Sequence, residues 1–393
     1  ANTGEKHTID GVEMEFVYVL DTEAPVEIMI WLPQLKAFCT AEDMTHNMHN
    51  LQTLRGAKVR NGLLWSKAVD TAIERYGDQV EVSFSTHHWP TWGNERIVNY
   101  WEAQRDMYRY LHDQTLHLAN RGLTPDEIAE EMKLPASLAS QFNCRGYYGT
   151  LSHNVKAQYD LYFGWFDGNP AHLNPLPPSE LGAKYVEAIG GADKVLEVAK
   201  ASYTKGEYRW VATLLDNLVF AEPENKEARQ LLADTYSLLG YQAESGPWRN
   251  FYLTGAQDLF KKNVPYTSKL INDGVLSQMD MGTLLDYCAI QLNGEKAGGK
   301  EAVININFTD TKEKVMLMLN NGVLNHRLGS QDKKADLTME IAKMDFVKLF
   351  FGRTDLQTLH KTNKVKTTGD TKAIDIIRSA YEPADPNFNI VLP

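Results

Sequence analysis

No run of apolar residues in this chain approaches the roughly 18 that a membrane-spanning helix requires, so no membrane span is expected. Lysine and arginine never cluster, and the formal net charge is −11. A phosphate-neutralising surface of the kind that drives nucleic-acid affinity is therefore missing, and nucleic acid is excluded as an expected partner. Cysteine is scarce: Cys39, Cys144 and Cys288 are the only three in 393 residues. Their wide spacing and odd number exclude a disulfide framework and any C-x-x-C metal knuckle. The first residues, ANTGEKHTIDG, have neither the basic start nor the apolar core of a signal peptide, although an export signal further upstream is compatible with them.

What is present is enough apolar surface for several cores. Hydrophobic residues make up 43% and aromatics 10% of the chain, and its length exceeds what one ordinary core organises, so two or three domains are expected. The pattern begins as α/β. MEFVYVL (Met14 to Leu20) and VEIMIWL (Val26 to Leu32) are strand-length apolar runs around the turn Asp21-Thr-Glu-Ala-Pro25. Ala37 to Ala41 and Val80 to Phe84 read as further strands, and Leu63 to Tyr76 and Ile97 to Leu118 as amphipathic helices. From about residue 115 helix follows helix. Thr124 caps a helix with Pro125 at its first position, and Gly206 to Gly240 resembles a single tetratricopeptide-type hairpin. One such hairpin cannot bury its own face, so it is expected inside a compact helical domain, with Asn174-Pro-Leu-Pro-Pro178 as an extended connector. After Lys262 four strands (303–308, 314–319, 323–328, 335–339) separated by Asn320-Asn-Gly322 and Gly329-Ser330 predict an antiparallel meander. Helices over 269–292 and 345–351 flank it. The expected architecture is thus α/β, then all-α, then α+β, with domains at 1–114, 115–255 and 262–393.

The candidate chemistry lies at three strand ends, which deliver Glu23, Glu42 and one of the adjacent histidines in Phe84-Ser-Thr-His-His-Trp-Pro-Thr-Trp-Gly93. Neighbouring side chains on an extended segment point to opposite faces, so at most one of His87 and His88 is expected as a ligand. A single turn glutamate is ordinarily a solvated carboxylate. Two of them with an imidazole, however, match the oxygen and nitrogen donors of a hydrolytic metal site that keeps a position open for water. The stretch 45–60 adds His46, His49, Asn50, Arg55 and Arg60. The histidines are candidate ligands, or they cap and orient neighbours, and an arginine beside a metal offers the planar fork that fits a tetrahedral oxyanion. Met316 and Met318 are candidates to line an apolar groove or to fill the core of the last domain.

Thr22-Glu-Ala-Pro25, Ala41-Glu42 through Thr53-Leu-Arg-Gly56 and Thr86-His-His-Trp-Pro-Thr-Trp-Gly93 carry a resemblance to the alkyl sulfatases of the metallo-β-lactamase superfamily. Arg145-Gly-Tyr-Tyr-Gly149, Gly164-Trp-Phe-Asp-Gly-Asn-Pro170 and Gln242 to Asn250 extend it across nearly the whole chain. The resemblance implies the C-terminal part of a metallo-β-lactamase αββα fold, then a helical dimerisation domain, then a sterol-carrier-protein-2-like domain. It also implies a homodimer and hydrolysis of alkyl sulfates at a site with two zinc ions. In that site Glu23 and His87 each bind one metal, Glu42 bridges both, and Arg55 with Asn50 holds the sulfate. A periplasmic or secreted location is favoured on the same ground. The superfamily's first metal motif, H-x-H-x-D-H, occurs nowhere in the sequence, so an N-terminal polypeptide carrying it is the expected partner. The alternatives are a catalytically silent lipid-binding or dimerisation module and a metal hydrolase of another ester.

Overall fold

A computed structural model describes residues 2–260, 272–385 and 388–393. They fall into two compact units, 1–262 with 389–393, and 263–388. In the first unit β1 (Lys6–Ile9), β2 (Val12–Leu20), β3 (Val26–Leu32), β4 (Ala37–Cys39), β5 (Val82–Phe84) and β6 (Thr91–Trp92) form one sheet in chain order. All neighbours are antiparallel except β4 and β5. That register brings the C-terminal ends of β2, β4 and β5 to the same edge, which is where the candidate residues follow.

Alternation along the strands decides which face is covered. Val17, Val19, Met29, Trp31 and Phe38 point inward and meet Trp65, Val69 and Tyr76 of α1 (Gly62–Tyr76) and Ile97, Trp101 and Tyr108 of α2 (Asn94–Ala119). Asn61 starts α1 by accepting the N–H groups of Leu63 and Leu64 through its side-chain oxygen. The opposite face carries the cross-strand pairs Phe16–Ile30, Tyr18–Ile28 and Leu20–Val26, with Tyr18, Leu20 and Val26 exposed.

Among the described residues eight more helices belong to this unit: α3 (Pro125–Glu131), α4 (Ala136–Ala139), α5 (Leu151–Phe163), α6 (Pro178–Ile189), α7 (Ala192–Thr204), α8 (Tyr208–Ala221), α9 (Lys226–Gln242) and α10 (Gly246–Asp258). Thr124 caps α3 in a reciprocal capping box with Glu127. The hairpin legible at Gly206 to Gly240 is α8 and α9, and it buries its face with α6, α7 and α10 around Val195, Leu215, Leu218 and Leu232. α6 and α8 approach so closely at Gly182 that a Cβ there would stand 2.5 Å from the carbonyl oxygen of Asn217. Among the described residues no helix is long and apolar enough to cross a membrane.

The second unit contains α11 (Asp273–Gln278), α12 (Met281–Ala289), α13 (Gly294–Ala297), β7 (Ala302–Phe308), β8 (Lys314–Asn320), β9 (Val323–Leu328), β10 (Leu337–Ile341), α14 (Lys343–Phe350), α15 (Leu356–Lys361), β11 (Val365–Gly369) and α16 (Lys372–Arg378). The sheet order is β11-β10-β7-β8-β9, which corrects the expected meander. β7, β8 and β9 are consecutive antiparallel neighbours, but β10 returns across the sheet to pair parallel with β7. The crossing loop is fixed by Asn305, whose amide donates to the Asp332 carbonyl (2.7 Å) and whose oxygen accepts the Asp332 N–H (2.9 Å). The helix expected over 269–292 begins outside the described residues, and its described part breaks where Asp280 caps α12. β11, with Val365 as its lone large apolar residue, gave no strand signal. Met316 and Met318 stand on the face opposite Val315, Leu317 and Leu319, which fill the core.

Replacing Gly182 by Ala should force α6 and α8 apart. Overpacking of this kind costs about 1–3 kcal/mol, so the urea midpoint should fall while the denaturant slope stays constant.

Candidate metal and anion site

Past the edge of the first sheet lies a hollow of about 570 Å³ that takes in Glu23, Glu42, His49, Arg55, Arg60, His87 and His88, with Tyr147 and Tyr148 on the opposite wall. Ligand atoms of Glu23, Glu42 and His49 lie within 4.8 Å of one another, the one such group of metal-type donors among the described residues. Glu42 faces two histidines. Its Oε1 is 2.5 Å from His87 Nε2, and its Oε2 is 3.5 Å from His49 Nε2. Hydrogen bonding to His49 first, and then to His87, holds the Glu42 carboxyl down to about 2, against the opposing effect of burial.

His87 has a backbone φ of +68°, so the chain turns at the position where a straight strand would have sent His87 and His88 to opposite sides. Both therefore reach the hollow. His87 is 70% exposed at its rim. His88 is half-buried, with Nε2 3.2 Å from the Asn47 amide nitrogen and Nδ1 without a partner. His46 goes elsewhere: it is stacked between Trp89 and Tyr100 and lies 3.0 Å from the Thr91 hydroxyl.

The arginine buried in the site is Arg60, whereas Arg55 stands exposed at the mouth. Arg60 donates through Nε to the Glu23 carbonyl (2.6 Å) and through Nη2 to Glu23 Oε1 (2.5 Å). Its Nη1 donates to the Asn50 carbonyl (2.9 Å) and to Asn50 Oδ1. Asn50 is thus buried behind the hollow, clamped to Arg60. His49 Nδ1 is 3.0 Å from the same Asn50 carbonyl and 3.3 Å from Arg60 Nη1, contacts that fix the ring with Nε2 facing Glu42. An imidazole oriented in this way by a backbone carbonyl is the usual companion of a metal ligand.

Two acids lie beneath the pair. Burial, reinforced by the charge of Glu23, pushes the Glu27 carboxyl up to about 7, and burial drives Asp43 up in the same direction. Asp43 is wholly enclosed, with the equally buried Thr22 hydroxyl and the Glu27 carboxyl as its polar neighbours. Desolvation thus favours the neutral forms of Glu27 and Asp43, which keeps further negative charge away from Glu23 and Glu42.

The loop 49–61 has no regular structure, and α5 holds it in place. Asn154 donates to the His49 carbonyl (2.9 Å) and accepts the Leu51 N–H (2.8 Å). One turn on, Gln158 donates to the Arg60 carbonyl (2.8 Å) and accepts the Gly62 N–H (2.9 Å). His153 donates from Nε2 to the Gln52 carbonyl (2.7 Å) and accepts the indole N–H of Trp248 at Nδ1 (3.0 Å). At Gly149 the backbones touch: a Cβ would lie 2.5 Å from the His49 carbonyl oxygen. These supporting residues escaped sequence reasoning. The available signal was the buried polar pair Asn154 and Gln158 at i,i+4 on one helix face.

The alkyl sulfatase dimerisation family matches residues 124–262, and the alkyl sulfatase C-terminal family matches 269–393. A linear primary-alkylsulfatase from Pseudomonas sp. (strain ATCC 19151) is 31% identical over 96% of this chain and 73% of its own length. The chain belongs to the alkylsulfatase family. A second linear primary-alkylsulfatase from Pseudomonas sp. is 46% identical over the whole chain, and a solved stereoselective inverting sec-alkylsulfatase from Pseudomonas sp. superposes with a TM-score of 0.97 at 43% identity, again over the whole chain. The chain spans 58% and 62% of those two proteins respectively.

Asn154→Ala should leave the His49 carbonyl and the Leu51 N–H buried without partners, at about 1–3 kcal/mol for each orphaned group. The expected result is a lower unfolding midpoint together with faster amide exchange at Leu51.

Proposed function

We propose that this chain forms part of a zinc-dependent alkyl sulfatase that hydrolyses alkyl sulfate esters of the dodecyl sulfate type to alcohol and sulfate. The observation that carries the reading is Glu42, whose two oxygens face different imidazoles while Glu23 stands alongside. A carboxylate placed in this way suits a bridge between two cations, and two acidic groups so close together call for positive charge. Glu23, Glu42 and His87 would hold the metals, with His49 as a further donor. Zinc bound there supplies hydroxide at neutral pH and Lewis-acid polarisation.

The chain's own residues do the rest. Arg55 at the mouth pairs with the sulfate and stabilises the charge that develops as the ester bond breaks. Asn50, buried behind the hollow with its carbonyl and Oδ1 committed to Arg60, acts by holding that arginine in place. Arg60 fixes Glu23 from behind.

Four donor side chains cannot fill the shells of two zinc ions. We therefore assign the remaining ligands to an N-terminal polypeptide carrying H-x-H-x-D-H. The open apolar face at Tyr18–Ile28 and Leu20–Val26 fits a second sheet from that polypeptide, which would complete a metallo-β-lactamase sandwich. The helical region, with Tyr162, Phe163 and Trp165 exposed, would form a homodimer, and the second unit is read as a sterol-carrier-protein-2-like fold.

In the complete protein, Glu42→Ala should release most of about two bound zinc ions. Atomic emission showing unchanged zinc would remove the assignment. Arg55→Lys keeps the charge but loses the fork. Turnover of dodecyl sulfate should fall about ten- to a hundredfold, corresponding to one charge-assisted hydrogen bond of about 1.5–3 kcal/mol, with zinc content constant.

A further inference from the structure

A run of three exposed aromatic rings leaves the hollow. Tyr147, 38% exposed, forms part of its wall. Phe142 (52% exposed) lies 5.5 Å from Tyr147, centroid to centroid, and Trp89 (56% exposed) lies 6.1 Å beyond. Trp89 and Phe142 then border a second hollow of about 580 Å³. A protein surface seldom keeps contiguous aromatic area exposed without a use.

The rings are rigidly mounted. Trp89 lies on the imidazole of His46 at 5.0 Å with planes 13° apart, and that imidazole lies on Tyr100 at 4.8 Å and 14°. Trp89 therefore has one side backed and another open. Phe142 projects from a 3-10 turn whose next residue, Asn143, is buried and fixed: Gln104 donates to its carbonyl (2.5 Å), and its amide donates to the Tyr100 carbonyl (3.3 Å). Tyr147 packs beside the Arg145 guanidinium, 5.6 Å from its ring centre. A fixed apolar surface costs little side-chain entropy when something lies on it.

We propose that Tyr147, Phe142 and Trp89 form the track on which the alkyl chain of the substrate lies, with its sulfate at Arg55 and its terminal carbons toward the second hollow. The occupant is an amphiphile with an anionic head, because the track begins inside the hollow that holds Arg55 and the donor group, and Tyr147 belongs to both. The inference rests on the alkyl sulfate reading of the site and specifies where chain length is sensed.

The test is a series of hexyl, octyl, decyl and dodecyl sulfates, below their micellar concentrations, with the complete zinc-loaded enzyme. A fully buried methylene contributes about fourfold in affinity, and one lying on an open surface about half that free energy, or roughly twofold. The parent should therefore show KM falling with each added carbon. Phe142→Ala and Trp89→Ala should flatten that slope. The KM for dodecyl sulfate should rise about tenfold or more and that for hexyl sulfate less than twofold, with Phe142→Leu restoring part of the slope and the unfolding midpoints of all variants monitored. An unchanged slope, or an equal loss for every chain length, overturns the track. Binding of decanesulfonate, which is not hydrolysed, separates the two readings. If the parent hydrolyses no alkyl sulfate but binds the sulfonate through these rings, the reaction is wrong and the track stands. If Trp89 is already shielded from iodide quenching in the free enzyme, polypeptide covers the rings and the track falls.

Discussion

Everything at the site depends on a set of side-chain hydrogen bonds from one helix to one loop. Residues 49–61 carry His49, Asn50, Arg55 and Arg60, yet no ladder or helical repeat satisfies their backbone. His153, Asn154 and Gln158 of α5 do so instead, meeting carbonyls of His49, Gln52 and Arg60 and N–H groups of Leu51 and Gly62. A typical bond of this kind contributes about 1 kcal/mol, but an unmade one in a dry interior costs more. The loop therefore has one low-energy course. It also explains why the candidate site and the helical region following it fall in one compact unit: α5 belongs to the helices by sequence and to the site by contact.

With the loop fixed, electrostatics arranges the acids. Glu23 is neutralised by Arg60, Glu42 is kept ionised by two imidazoles, and Glu27 and Asp43 are driven toward their neutral forms by burial. Four carboxyls in a small volume would repel one another if all were charged. The fold leaves charge on the two that face the hollow and suppresses it on the two behind. Arg60 is occupied twice over, with Glu23 and with Asn50, which leaves Arg55 as the arginine at the mouth with room for an external anion.

The first sheet is covered on one face. Its inner face is closed by α1 and α2, and its outer face pairs Phe16 with Ile30, Tyr18 with Ile28 and Leu20 with Val26 in the open. Relatives of which this chain covers about three-fifths have further chain to place. An apolar sheet face lies beside the group of donors, and both are surfaces that the proposed N-terminal polypeptide would use.

Local chemistry was enough to read much of this. Period-two alternation marked β2 and β3, the Thr124 and Pro125 pair marked the start of α3, and the turns around Pro25 and the two-histidine segment marked where Glu23, Glu42, His87 and His88 leave their strands. Those signals are written in residues a few positions apart. What tertiary structure alone decided lies largely in contacts between residues from ten to 105 positions apart. The contact of Asn154 with the His49 carbonyl set the course of the loop, and Arg60 rather than Arg55 was drawn into the interior because Glu23 and Asn50 converge there. A left-handed backbone at His87 let both histidines reach one hollow, and the crossing loop at Asp332 sent β10 back beside β7. Side-chain type and spacing specify which groups can ligate, cap or alternate. Which of several equivalent arginines or histidines is buried, and which strand neighbours which, is fixed by polar groups that must find partners once water is excluded, and only the assembled chain presents those partners.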